Sequence, residues 1–150
     1  MKNLLVALAL AVAAGAHAQP AAPVAVEGPW ARAVLPGQVS SGAYMTFVAR
    51  EPVTLLGAAS PAAGIVEIHE MKLEGDFMKM RAVDRLELAA GQRVEFKPGG
   101  YHFMLMDLKA KLNPGMTLPL TLQFRDVGGK LREVQVSLPV AAAAPASHKH

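Results

Sequence analysis

Leu118–Arg125 reads LPLTLQFR, with Leu118, Leu120, Leu122 and Phe124 on alternate positions and Thr121, Gln123 and Arg125 between them. A period of two puts the four apolar side chains on one face of an extended strand and the polar ones on the other. Leu131–Leu138 answers it beyond the turn Val127-Gly128-Gly129, with Arg132, Val134, Val136 and Leu138 opposing Leu131, Glu133, Gln135 and Ser137. The pair reads as a hairpin with one core face. Working outward, the same short extended grammar recurs at Val26–Val34, Gly42–Ala49, Val53–Ser60, Ile65–Leu73, Phe77–Val83, Arg93–Lys97 and Tyr101–Leu108. Turn residues punctuate it at Leu35-Pro36-Gly37, Glu74-Gly75-Asp76, Ala90-Gly91, Lys97-Pro98-Gly99-Gly100 and Asn113-Pro114-Gly115. No segment keeps a helical period, and no internal repeat is visible. The expectation is an all-β protein, an antiparallel β-sandwich or Greek-key barrel in a single domain.

The ends bound that domain. Lys2, the apolar run Leu4–Ala14 and Ala16-His17-Ala18 have the order of an export signal cleaved after Ala18. The apolar run is about 11 residues, short of the ~20 that cross a bilayer. Residues 1–18 are therefore expected to be a cleaved signal peptide, 19–140 the folded domain and 141–150 a flexible tail containing His148 and His150. The mature protein is expected in the periplasm, without a membrane span.

The chain has no cysteine. That excludes disulfides, Cys nucleophiles, iron–sulfur clusters and blue-copper His₂Cys sites. Its net charge is +3, with lysines and arginines spread among acids. Lacking a basic run or a ladder of aromatic residues, it does not read as a nucleic-acid binder.

Chemistry concentrates in two stretches. In Tyr101–Leu108 (YHFMLMDL), Tyr101, Phe103 and Leu105 share a natural core face, while His102, Met104 and Met106 share the other. His102 and Met104 then lie about 7 Å apart along the backbone, close enough for an imidazole and a thioether to meet at one ion. Between Ile65 and Ala82, His69 shares a face with Met71, and Met78 with Met80, across the Glu74-Gly75-Asp76 turn. Single methionines usually fill core gaps, and Met45 and Met116 are read that way. Five methionines crowded around two histidines are a different matter. Thioethers are poor ligands for Zn²⁺, Mg²⁺ or Ca²⁺ and good ones for Cu(I), so the cluster points to reduced copper.

His69, Met80, His102 and Met104 fit a pattern of His, ten residues, Met, twenty-one residues, His-x-Met. This pattern resembles the signature of the periplasmic copper chaperones that serve the dinuclear copper centre of cytochrome c oxidase (PCuAC-like). Pro29-Trp30-Ala31-Arg32-Ala33, Gly42-Ala43-Tyr44-Met45, Val66–Met71 and Pro98–His102 are similar to the same family, in the same order. One departure is Ala49-Arg50-Glu51, where the family often has an Asn; it bears on a turn, not on the site. The resemblance implies a cupredoxin-like sandwich whose exposed Cu(I) site is formed by those four side chains. Met71 and Met106 are secondary candidates. His148 and His150 offer two imidazoles for a separate Cu(II) site on the tail.

The resemblance also implies a carrier rather than an enzyme, with a cysteine-bearing copper acceptor as partner, an oxidase subunit or related assembly factor. Alternative readings are copper storage or resistance, a copper-dependent redox enzyme, and a metal-free adhesion-type β-domain. No acid–base constellation stands out for the enzyme, and the last leaves the His/Met cluster without a purpose.

Overall fold

The computed structural model describes residues 21–146; the expected export signal, His148 and His150 lie outside the described residues. Ten strands build the domain: β1 (Val24–Arg32), β2 (Ser41–Ala49), β3 (Val53–Ala59), β4 (Ala63–Glu74), β5 (Phe77–Val83), β6 (Leu86–Leu88), β7 (Arg93–Phe96), β8 (Tyr101–Leu108), β9 (Thr117–Asp126) and β10 (Leu131–Ala141). No helix occurs among the described residues. β5 and β8 have the limits their alternation predicts. The three-residue β6, paired with β3 at Val53, Thr54 and Leu55, is too short to show a period.

The strands follow one hydrogen-bonded order, β5-β4-β8-β7-β2-β1-β10-β9-β3-β6. The order folds over between β1 and β10, so that two faces pack together. Phe47 of β2 meets Phe124 of β9 edge-on at 6.1 Å, and Phe96 and Phe103 close around it at 5.2 and 6.2 Å. All four are buried, together with Leu118, Leu120, Leu122 and Leu138, so the alternation in LPLTLQFR marks the core face. Edge-to-face aromatic pairs add attraction beyond the apolar area they remove from water. Met45 is buried in this core, while the sulfur of the partly exposed Met116 accepts the Asn113 N–H at 3.3 Å.

Pairing is antiparallel except at two short places. β1 and β10 run side by side at Ala31–Val140 and Arg32–Ala141. The other exception, Phe96 beside Tyr101, follows from how β2 is flanked. Its second half pairs with β7 and its first half with β8. Two steps along β2, from Met45 to Ala43, correspond to seven along the facing chain, from Phe96 to Phe103. The excess leaves the sheet as the Pro98-Gly99-Gly100 excursion, beside the His/Met cluster. β10 also runs further than its alternation indicates, through Pro139 and Val140 to Ala141. Beyond it, Ala144, Pro145 and Ala146 line a cleft with Trp30, Lys97 and Pro98.

Candidate metal centre

Ladder register gathers the predicted residues on one face. Directly opposed residues of neighbouring strands point the same way. His69 of β4 faces His102 of β8, Glu67 faces Met104, and Met71 faces Met80 of β5. On the other side of β8, Met104 faces Gly42 of β2. The two clusters seen separately in the sequence therefore share one surface, with β4 between β5 and β8.

The histidines are already oriented. His69 Nε2 lies 2.7 Å from Glu67 Oε2. A carboxylate only accepts, so Nε2 carries the hydrogen and Nδ1 keeps its lone pair. That Nδ1 is buried with no hydrogen-bond partner, which is rare for a buried nitrogen and points to a ligand. His102 Nδ1 lies 3.2 Å from the Gly100 carbonyl, so it donates there and leaves Nε2 free. The imidazole centres are 5.7 Å apart. Burial holds His102 below the ordinary histidine pKa, with the Gly100 bond opposing the shift and neighbouring His69 adding to it. A lone pair is thus available at lower pH than in an exposed histidine.

Gly100 serves twice, because its carbonyl also accepts the Met71 N–H at 3.0 Å. The excursion between β7 and β8 thereby ties the orientation of His102 to β4. On the hairpin's other face, Arg81 grips Glu70 with two bonds of 2.8 and 3.0 Å. That clamp keeps β5 in register on β4, and with it Met80.

A cleft of about 300 Å³ opens over this face. Met71, Met80, His102 and Met104 line it, with Arg32, Gly42 and Tyr44 on the β1–β2 side and Pro98 and Gly99 at the excursion. Met80 is half exposed. Met71 lies between Met80 and the histidine pair in register, while Met106 faces Ile65 and is absent from the lining. Gly42 has a steric reason: a Cβ there would come 2.5 Å from the Tyr44 hydroxyl, so glycine lets that ring lean over the cleft.

Two imidazole lone pairs and several thioethers make a neutral, soft donor set. No group of three or more His, Asp or Glu side chains among the described residues could hold an ion; the donors that line the cleft beside His102 are the thioethers of Met71, Met80 and Met104. Sequence reasoning did not find the supporting groups. Glu67 was discoverable, since it has the parity of His69; the Gly100 carbonyl needed the register.

Fold and site together define a PCuAC-type all-β domain. The copper-bound PCuAC domain from PmoF2 aligns with a TM-score of 0.64 and 30% identity, covering 83% of this chain and 97% of that one. The Cu(I) form of DR1885 from Deinococcus radiodurans aligns at 0.59 and 34% identity, covering 85% and 82%. The cupredoxin-like sandwich implied by the sequence resemblance is thus the fold observed. Residues 24–140 match the LpqE-like family model, and the chain belongs to that family, whose name is that of a lipoprotein. A curated relative, the uncharacterised protein RP573 of Rickettsia prowazekii, is 36% identical over 115 residues, 73% of this chain. The match spans 64% of that relative's length.

Proposed function

We propose that this chain is an exported Cu(I) carrier that holds one ion through His69 Nδ1, His102 Nε2, Met104 and Met80, and passes it to an acceptor bearing cysteines. The observation that carries the reading is the buried, unpartnered Nδ1 of His69 opposite His102 in register, His102 itself lining the thioether-bearing cleft from which His69 is absent. Similarity to the copper-bound PCuAC domain and to Cu(I)-DR1885 supports copper as the cargo. The lipoprotein name of the family supports export.

Function as a carrier follows from the donors. Cu(I) accepts sulfur and nitrogen at low coordination number, whereas Cu(II) prefers nitrogen and oxygen in a tetragonal field. Thioethers bind without charge and yield to thiolates. A partner can therefore replace Met80 or Met104 one ligand at a time. The acceptor we favour is the dinuclear copper centre of cytochrome c oxidase or a factor that assembles it.

Anaerobic titration with Cu(I) and Cu(II), with X-ray absorption on the loaded protein, tests the site. One Cu(I) with both Cu–S and Cu–N scattering is expected. Copper partition after mixing with a reduced acceptor tests delivery. Metal retained against excess free acceptor thiols would favour storage.

A further inference from the structure

Arg32 stands in the wall of the same cleft and is outside the ligand set. It ends β1, where its carbonyl accepts the Ser41 hydroxyl and its backbone pairs with Ala141. Its guanidinium carbon lies 5.9 Å from the Trp30 ring centre and 5.7 Å from that of Tyr44. Those rings are 4.8 Å apart, and Tyr44 is 6.3 Å from His102. Stacking over aromatic rings steadies an exposed cation without neutralising it. No carboxylate forms an ion pair with Arg32 among the described residues.

Charge around the cleft gives this placement a purpose. Neutral imidazoles and thioethers contribute no charge, and Glu67 is already engaged by His69. With Cu(I) bound, the ion and Arg32 both present positive charge to the opening. An approaching thiol enters that field, which favours its thiolate.

We infer that Arg32 is a recognition residue for the copper acceptor, drawing an anionic thiolate to the cleft and holding it beside the ion; this rests on the Cu(I)-carrier reading. The thiol gives its proton to solvent before the exchange; the thiolate then forms a Cu–thiolate bond as a Cu–thioether bond breaks. Copper stays Cu(I) throughout.

The test measures Cu(I) removal from the loaded full chain by three small thiols: thioglycolate (anionic), 2-mercaptoethanol (neutral) and cysteamine (cationic). Rates are compared at equal thiolate concentration. Wild type is expected to yield copper fastest to thioglycolate and slowest to cysteamine. Arg32→Gln slows the thioglycolate reaction on the order of tenfold and compresses the order. Arg32→Lys restores most of it. Arg125→Gln, which removes the same charge from β9 in the other layer, leaves it unchanged.

Raising salt from 0.1 to 1 M shortens the screening length from about 10 to about 3 Å and flattens the wild-type preference. Equal thioglycolate rates for wild type and Arg32→Gln, each holding one Cu(I), overturn the inference and leave the carrier reading standing. A wild type that binds no Cu(I) overturns both. Should Arg32→Gln fail to fold, Arg32→Met, which keeps an apolar stem against Trp30 and Tyr44, takes its place, and an order equal to that of wild type overturns the inference.

Discussion

His69 and His102 oppose each other across β4 and β8, and their hydrogen bonds lead in different directions, to the Glu67 carboxylate and to the Gly100 carbonyl. Each ring is fixed by a partner outside the pair, which leaves the second nitrogen of each for a ligand. On the proposed Cu(I) reading, the imidazole half of the site is oriented before an ion arrives, and the flexible thioethers would complete it.

Loss of one thioether donor should separate binding from folding. Met104→Leu conserves volume and is expected to cost under about 1.5 kcal/mol of stability while weakening Cu(I) binding about tenfold, or 1.4 kcal/mol. Competition with a chromogenic Cu(I) chelator, alongside urea unfolding, checks both. Unchanged affinity would remove Met104 from the ligand set.

Met80 and Met71 compete for one role. Met80→Leu is expected to weaken Cu(I) binding about tenfold, and Met71→Leu far less. The reverse ranking by the same assay would give the position to Met71, which lies nearer the histidines in register.

Glu67 acts through His69. Removing its carboxylate in Glu67→Ala frees the imidazole to change tautomer, and partners of this type affect metal affinity 10- to 100-fold. Glu67 is partly exposed, so about tenfold is expected. Retained affinity would show that another contact fixes the ring.

Acid should loosen the metal-free fold through His102. Burial lowers its pKa in the native state below the unfolded value of 6.5. As pH falls through 6.5 the unfolded chain takes up the proton first. Stability therefore declines until the native pKa is reached and this contribution then levels off. Urea midpoints between pH 7.5 and 5 should fall less for His102→Gln than for wild type. Identical slopes would contradict the assignment.

Phe47 ties the layers together, touching Phe96, Phe103 and Phe124. Phe47→Ala is expected to cost about 3–5 kcal/mol, read from chemical denaturation. A cost below that of Met104→Leu would place the core elsewhere.

Strand alternation was legible wherever one face is buried and the other wet, as in Leu118–Phe124 and Tyr101–Leu105. The parity of His102 with Met104, and of His69 with Met71, was legible for the same reason. Register between strands distant in sequence was not, because it depends on the whole sheet. The pairing of His69 with His102 and the detour at Pro98–Gly100 both belong to that class. Glycine at position 28 (φ 55°), beside the bulge between Glu27 and Trp30, was equally silent. Local composition does not say that an added residue will turn Trp30 onto Tyr44.

The direction of β1 decides what can be attached to this domain. Arg32 borders the cleft, and Val24 begins the strand up to about 27 Å away. A tether or fusion partner joined ahead of Val24 therefore meets the domain away from the opening and leaves it clear for a visiting protein. Ala141, by contrast, leaves the sheet beside Arg32. A purification tag made of histidines brings imidazoles of its own that compete for the metal being measured. Binding studies are best made with none.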